Sequence, residues 1–269
     1  MDVVLIIILL VFGVLFGIIG SVAGIGGGAL HMSVMILLFA IPIDEARDTS
    51  SFIMVLSSGI AFISYYKQGK VDIKISLIFA GFALLGSITA TVFLIFLPID
   101  KTALKIIIAS VILVSGLNMI RKAFKSLKLE RLYNNNQDIH LVFSFDSFDY
   151  TSNLNKRIPL FFLAGFLAYL SGIGGGMVFV PMLSILFGMP IHISTAMSTT
   201  MIFFIGIYNA TIRITIGKIH YLIGILLGSG AVLGSLYGTR LSKKIRKHIL
   251  QFFVAVVLIG LAIRMYFIV

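Results

Sequence analysis

The chain has 269 residues, of which 59% are hydrophobic and only 12% are charged, and its mean hydropathy is +1.11. These values exclude an ordinary soluble domain, and the absence of cysteine excludes disulfides, thiolate metal sites and cysteine nucleophiles. The net charge of +11 would suggest a nucleic-acid partner in a soluble protein. In so apolar a chain, basic loops at a membrane surface explain it, and no nucleic acid is expected.

Apolar segments recur from one end of the chain to the other. The hydrocarbon core of a bilayer is about 30 Å thick and requires roughly 20 apolar residues per crossing helix. The pattern therefore predicts an all-α polytopic membrane protein whose main partner is the lipid bilayer. Ten segments follow in chain order, namely 2–21, 29–41, 49–66, 74–96, 102–120, 158–171, 177–188, 194–214, 221–239 and 248–268.

An internal repeat relates the first five segments to the last five. Placing residue i over residue i + 148 aligns 24–91 with 172–239 without a gap. Glycine, proline and lysine positions agree in this register, which chance similarity between apolar helices does not easily produce. We therefore expect one membrane repeat at 1–120, a polar linker at 121–157 and a second membrane repeat at 158–269.

The second segment of each repeat is short. Segments 29–41 and 177–188 hold about 12 or 13 residues, too few to cross a bilayer comfortably. Each is predicted to be a half-helix or one arm of a broken hairpin. The chain is accordingly expected to have eight to ten membrane segments.

The basic residues predict the orientation of the chain. If all segments alternate, 15 of the 21 Lys and Arg residues fall on one side. The positive-inside rule makes that side cytoplasmic, together with the linker, and places both termini outside a multi-pass plasma-membrane protein. Five segments per repeat then give the two halves opposite orientations. Inverted repeats of this kind are typical of transporters that work by alternating access.

Two glycine clusters are the first candidates for a substrate site. Consecutive glycines interrupt a helix and permit positive φ, and broken backbone inside a membrane must face protein or water. The next half-helix then presents N–H groups and a partial positive charge to an anion. Helix packing is the alternative role for glycines at such spacing. The candidates are Gly26, Gly27, Gly28, Gly174, Gly175 and Gly176.

Neutral polar side chains supply further candidates. Two hydroxyl clusters lie at the N-terminal ends of the third segments, where they could donate to an oxyanion without adding charge. Helix capping and interhelical hydrogen bonding are the alternatives. Asn209 is predicted to join the substrate site because its polarity is unexpected in lipid. The hydroxyl candidates are Thr49, Ser50, Ser51, Ser198, Thr199 and Thr200.

Three ionisable residues are candidates for coupling or anion pairing. Arg213 could pair with the anion or extend towards the membrane interface. His31 and Asp48 are candidates for proton coupling, although a lone histidine is more often a structural residue. The long apolar runs carry no Asp or Glu at their centres, which disfavours a cation site. No metal site and no cofactor are expected.

These features together resemble the sulfite exporter TauE/SafE family, a group of transmembrane anion permeases. The resemblance covers both halves and rests on the glycine elements at 24–28 and 172–176, on Pro181, on the hydroxyl clusters and on the Gly-Lys turns. Ser33 stands where Pro181 has its repeat counterpart, so the first half departs from the pattern. The resemblance implies transport, usually export, of sulfite, an organosulfonate or a related sulfur-containing anion.

The residues also bear on competing functions. No nucleotide-binding motif occurs, which favours a secondary transporter driven by a proton or other ion gradient, or by downhill movement. An intramembrane enzyme would need a nucleophile with a base or a metal cluster, and no Gly-x-Ser-x-Gly or His-Glu-x-x-His motif occurs. The chain is therefore not expected to be an enzyme. A cation transporter or channel is the other alternative. The oligomeric state stays open, a homodimer included.

Overall fold

The computed structural model describes residues 3–96, 158–171, 175–216 and 219–267, with single positions and short runs between 106 and 128. In these residues all regular structure is helical and no strand occurs, which confirms an all-α polytopic membrane protein. The predicted linker lies almost entirely outside the described residues, as do much of the fifth segment, Gly174 and Lys218.

The helices of the two described halves follow one another along the chain. The first half contains α1 (Val3–Ala23), α2 (Gly28–Phe39), α3 (Ile43–Lys67) and α4 (Ile73–Phe96). The second half contains α5 (Pro159–Ser171), α6 (Gly176–Pro181), α7 (Ile191–Ile216), α8 (Tyr221–Lys244) and α9 (Lys247–Phe267). Within the described chain, α1, α3, α4, α7 and α8 are long and apolar enough to cross a membrane.

The second helix of each half is short, as the sequence predicts. α2 has 12 residues and so spans about 18 Å, well below the thickness of a bilayer core. α6 has 6 residues and continues as a π-helical turn over Met182–Leu186. Pro181 lies at the junction, where its missing N–H removes one helical hydrogen bond. Neither short helix reaches across the bilayer by itself.

Three helix boundaries differ from the sequence prediction. α3 begins at Ile43 directly after Pro42, six residues before position 49. α7 begins at Ile191, and α8 continues to Lys244. Polar residues extend all three helices because a helix can continue beyond the apolar core into the membrane interface. The prediction that both hydroxyl clusters lie at helix N-termini was therefore wrong, since they lie one to two turns inside.

Two helix pairs pack through glycine at backbone distance. A side chain at Gly17 in α1 would overlap the backbone of Ala231 in α8, and one at Gly165 in α5 would overlap that of Ala83 in α4. These two contacts are related by the 148-residue offset in both partners. The matching hydroxyls, Ser235 and Ser87, donate to the carbonyls of Gly17 and Gly165 over 3.5 and 3.2 Å. Small residues thus allow close helix approach, as in other membrane bundles.

The two long helices α3 and α7 form the centre of the bundle. They pack against each other, with Phe62 stacked on Phe203 at 5.6 Å between ring centroids. α8 packs against both α3 and α1, whereas α4 packs against both α7 and α5. Of the five long helices, α7 is the most buried. Residues on α3 and α7 can therefore contact the interior loops of both halves.

We expect Gly17→Leu and Gly165→Leu each to destabilise the folded protein strongly, because overpacking costs about 1–3 kcal/mol and backbone cannot easily move aside. Gly81→Leu is the matched control, since open space surrounds Gly81 in α4. Thermal unfolding in detergent, followed by size-exclusion chromatography, measures the effect. Equal melting temperatures for all three variants would contradict the backbone contacts.

Candidate functional site

The first glycine element is a tight loop between α1 and α2. Gly24, Gly26 and Gly27 have φ of 73°, 73° and 74°, a left-handed conformation that strongly favours glycine. The N–H groups of Ile25 and Gly26 donate back to the carbonyl of Gly20 over 3.0 and 3.3 Å. The loop therefore reverses the chain within the bundle and starts α2 at Gly28.

The start of α2 presents unused backbone donors. In the described part of the chain, the N–H groups of Gly27 and Gly28 have no hydrogen-bond acceptor. The first N–H groups of any helix lack intrahelical partners, and the helix dipole adds about half a positive charge there. This end of α2 thus has the electrostatics of an anion site, as the glycine pattern predicts.

The second glycine element meets the first. A side chain at Gly176 would overlap Gly24 and Ile25, so the two elements are in direct contact. Gly175 has φ −65°, an ordinary helical value, and the expectation of positive φ does not hold there. Glycine fits at position 175 because a side chain there would overlap the ring of Phe179.

Two serines attach this loop to the central helices. Ser57 on α3 donates to the carbonyl of Gly26 over 3.1 Å, and Ser198 on α7 donates to the carbonyl of Gly24 over 2.8 Å. Both serines are buried. Ser198 was among the sequence candidates, whereas Ser57 was missed. The sequence could have indicated Ser57 only as a hydroxyl within an apolar run. That indication is weak, because the repeat counterpart of Ser57 is the apolar residue Ile205.

The remaining candidate hydroxyls have hydrogen-bond partners within the protein. Ser50 and Ser51 both donate to the carbonyl of Arg47, at 2.8 and 3.1 Å. Thr199 donates to Thr195 and Thr200 to Ala196, in each case four residues back along α7. Thr49 accepts the backbone N–H of His220 over 3.0 Å. The protons of Ser50, Ser51, Thr199 and Thr200 are thus engaged within their own helices.

His31 lies against the glycine loop in the first turn of α2. Its side chain is completely buried, and neither ring nitrogen makes a well-aligned hydrogen bond with a described residue, although the Gly27 backbone lies close to the ring. A side chain at Gly27 would come within 2.8 Å of the His31 ring, which also meets Phe16 edge-on at 5.9 Å. Buried polar groups are normally hydrogen-bonded, so an unsatisfied imidazole beside free amides indicates a place for a ligand or water.

The charged candidates form a separate cluster. Arg213 on α7 pairs with Asp48 on α3 at 3.1 Å, and Arg47 contacts the same carboxylate oxygen at 3.3 Å. The Arg213 guanidinium also lies 4.9 Å from the ring centre of Tyr169. The Arg213 side chain is only 13% exposed and is held against Asp48 by this contact. The cluster ties the start of α3 to the end of α7 and keeps one net positive charge.

Asn209 belongs with this cluster by position. It precedes Arg213 by one helical turn on α7, and its side-chain oxygen is buried without a partner in the described chain. Ser198 lies 11 residues earlier on the same helix, about 16 Å along the axis. The structure therefore divides the candidates into two groups. One is a glycine site around His31, and the other is the cluster of Arg213, Asp48 and Arg47, called the charged layer below.

The charged layer predicts how strongly variants of Asp48 and Arg213 are destabilised relative to one another. Asp48→Asn should cost the most, on the order of 3 kcal/mol, because it removes the carboxylate that both Arg213 and Arg47 contact inside the bundle. Arg213→Gln should cost less, since Arg47 still contacts Asp48. Thermal unfolding of the single variants and of the double variant measures the coupling. Additive effects in the double variant would show that the ion pair contributes nothing.

Comparison with known proteins identifies the family. The family described as "Sulfite exporter TauE/SafE" matches residues 9–265. The chain is 25% identical over 267 residues to the probable membrane transporter protein YunE of Bacillus subtilis, covering 94% of both chains. It is also 25% identical over 247 residues to the probable membrane transporter protein YdhB of the same organism, covering 92% of this chain and 93% of that protein.

A further relative is the probable membrane transporter protein ORF9 of Sinorhizobium sp., which is 27% identical over 255 residues and is covered to 87%. No solved structure matches the chain. The family match extends over nearly the whole length and includes both glycine elements and the charged layer. The chain therefore belongs to the sulfite exporter TauE/SafE family.

Proposed function

We propose that this chain is a secondary transporter that exports a small anion, most closely sulfite, an organosulfonate or a related sulfur-containing anion. The anion binds at the start of α2. The observation that carries the proposal is the buried His31, which lacks a well-aligned hydrogen bond and lies next to the free N–H groups of Gly27 and Gly28. The family match supports both the transport activity and the class of anion.

The chemistry of this site favours an oxyanion. Two backbone N–H groups and an imidazole N–H can each donate to an oxygen of the ligand, and the helix dipole favours negative charge. None of these groups is a fixed cation, so the anion is bound without a permanent ion pair that would slow its release. Gly26, Gly27 and Gly28 line one side. Gly174, Gly175 and Gly176 are assigned to the opposite side, supported by the contact between Gly176 and Gly24.

The candidate serine and threonine hydroxyls have different roles in the proposed mechanism. Ser198 positions the loop by binding the Gly24 carbonyl. Reorientation of Thr199 or Thr200 towards the anion would cost one hydrogen bond to the helix backbone, about 0.5–1.5 kcal/mol. Thr49, Ser50 and Ser51 lie beside Arg47 and Asp48, near the charged layer. With Asn209 and Arg213 they line the path from the site to that end of the bundle.

We assign the alternating access of this transporter to two inverted repeats. The paired contacts of Gly17 with Ala231 and of Gly165 with Ala83 support this assignment, because one offset of 148 relates both partners. The ion pair of Asp48 and Arg213 has as its repeat counterparts Ala196 and Tyr65, which share one buried apolar cluster. Opening of one contact and closure of the other would expose the site to alternate sides. His31 and Asp48 are the candidates for proton coupling.

Flux measurements test the transport proposal directly. Proteoliposomes should show saturable uptake of sulfite or an organosulfonate that exceeds uptake of sulfate, and negligible uptake of a neutral sulfone of similar size. His31→Ala should lower the flux at least tenfold, because it removes one donor and leaves a cavity. Rates equal to those of protein-free liposomes for every sulfur-containing anion, or saturable flux of cations, would overturn the proposal.

A glycine substitution separates the site from general strain. Gly27→Ala should abolish most transport, since the new methyl group lies at positive φ and meets the His31 ring. Gly69→Ala is the matched control: Gly69 has φ +67° in an open turn with no atom within 4 Å of the new carbon. Both substitutions carry a similar backbone cost of about 1–2 kcal/mol. Comparable sulfite flux in the two variants, at equal amounts of folded protein, would remove Gly27 from the site.

A further inference from the structure

Two clefts flank the cytoplasmic half of α8, as the basic residues orient it. The larger cleft, of 550 Å³, lies between α3 and α8, with apolar walls from Ile60, Ile63 and Leu236. The smaller cleft, of 270 Å³, lies on the other side of α8 against Ile18 of α1, with Tyr237 and Leu241. Arg240 and Lys244 line both clefts. These two residues are one helical turn apart and form the ridge between the clefts.

The larger cleft is strongly basic at one end. Lys67 and Lys243 join Arg240 and Lys244 in its lining, and Ser64 and Gln68 add polar groups. None of these four cations forms an ion pair with a carboxylate of the described residues. The ends of α3 and α8 contribute only about half a negative charge each. The four cations therefore leave a surplus of positive charge in the cleft.

Lys70, in the adjacent turn, is affected by one of these positive charges. Its pKa is lowered from 10.5 to about 8, first by burial and then by the positive charge of Lys243. A bound anion at this end of the bundle would relieve that repulsion.

Each cleft also has apolar residues that are open to the surroundings. Ile63 is 48% exposed in the larger cleft, and Tyr237 and Leu241 are 64% and 48% exposed in the smaller one. Because α3 and α8 are membrane-spanning helices, these side chains face the hydrocarbon of the bilayer. Each cleft thus has lipid-facing apolar residues beside the shared pair of cations.

Helix packing alone does not require these charges. The repeat counterparts of Lys67, Arg240 and Lys244 are Thr215, Val92 and Phe96, all at the offset of 148 residues. The corresponding helices, α7 and α4, also pack against each other. The same helix crossing is therefore built elsewhere in this chain without cations.

We propose that this surface binds one anionic phospholipid, with its phosphate at Arg240 and Lys244 and one acyl chain in each cleft. Two apolar grooves that converge on two cations match the shape of a diacyl lipid, and a small free anion would leave the grooves unused. Clusters of Lys and Arg next to membrane helices attract anionic lipids of the cytoplasmic leaflet. Lys67 and Lys243 add attraction on one side of the headgroup.

Native mass spectrometry of the delipidated full-length protein, titrated with phosphatidylglycerol or phosphatidylcholine, tests the site. The wild-type protein should bind one phosphatidylglycerol in preference to phosphatidylcholine. Arg240→Gln with Lys244→Gln should weaken phosphatidylglycerol binding at least tenfold. Lys74→Gln with Lys125→Gln is the control, since it removes the same charge from residues expected on the same membrane face but outside both clefts.

Leu236→Trp distinguishes a lipid from a free anion. The indole would fill the apolar part of the larger cleft while all four cations remain, so phosphatidylglycerol binding should fall and binding of inorganic phosphate should not. Displacement of the lipid by millimolar phosphate or sulfite, or full binding by Leu236→Trp, would instead show a small-anion site and overturn the lipid proposal. No preference for phosphatidylglycerol, or an equal loss in the control pair, would overturn it as well. Because binding is measured without flux, the result is independent of the transport proposal.

Discussion

The glycine loop at 24–28 can lie inside a membrane protein because two other helices satisfy its carbonyls. Ser57 of α3 binds Gly26, and Ser198 of α7 binds Gly24. An unsatisfied carbonyl in a lipid-like interior would cost several kcal/mol. Much of the architecture follows from this constraint, since the loop must lie between the two central helices. These in turn must be long enough to extend past it in both directions.

The same loop gives the protein its candidate binding chemistry. The carbonyls of Gly24, Gly26 and Gly27 accept hydrogen bonds, whereas the N–H groups of Gly27 and Gly28 donate none, so this part of the loop presents free donors. His31 adds an imidazole to the same place. An interior that offers donors but few fixed charges suits an anion that must bind and then leave. The glycine-rich stretch therefore contributes both to packing and to the candidate site: Gly17 allows close helix approach, and Gly27 borders the His31 ring.

The two ends of the central helix pair are held together by different contacts. Asp48 and Arg213 join α3 and α7 at one end through a buried ion pair. Tyr65 and Ala196 occupy the repeat-related positions within an apolar cluster, and the Tyr65 hydroxyl binds the Ser21 carbonyl over 2.9 Å. Positions related by the 148-residue offset thus make different contacts between α3 and α7: an ion pair at one end and apolar packing at the other. Such a difference would give the two conformations of a transporter unequal free energies, which is how an applied gradient or a bound ion can select between them.

The sequence by itself determined the membrane class, the order and approximate bounds of the helices, the short second helix of each half and the importance of the glycine elements. Each of these follows from local composition or from the repeat, because hydropathy and glycine content act along the chain. Only the tertiary structure showed that Ser57 binds the glycine loop, that Arg213 pairs with Asp48 and that most candidate hydroxyls bond within their own helices. These facts depend on which helix faces meet, and hydropathy does not encode the rotation of an apolar helix about its axis.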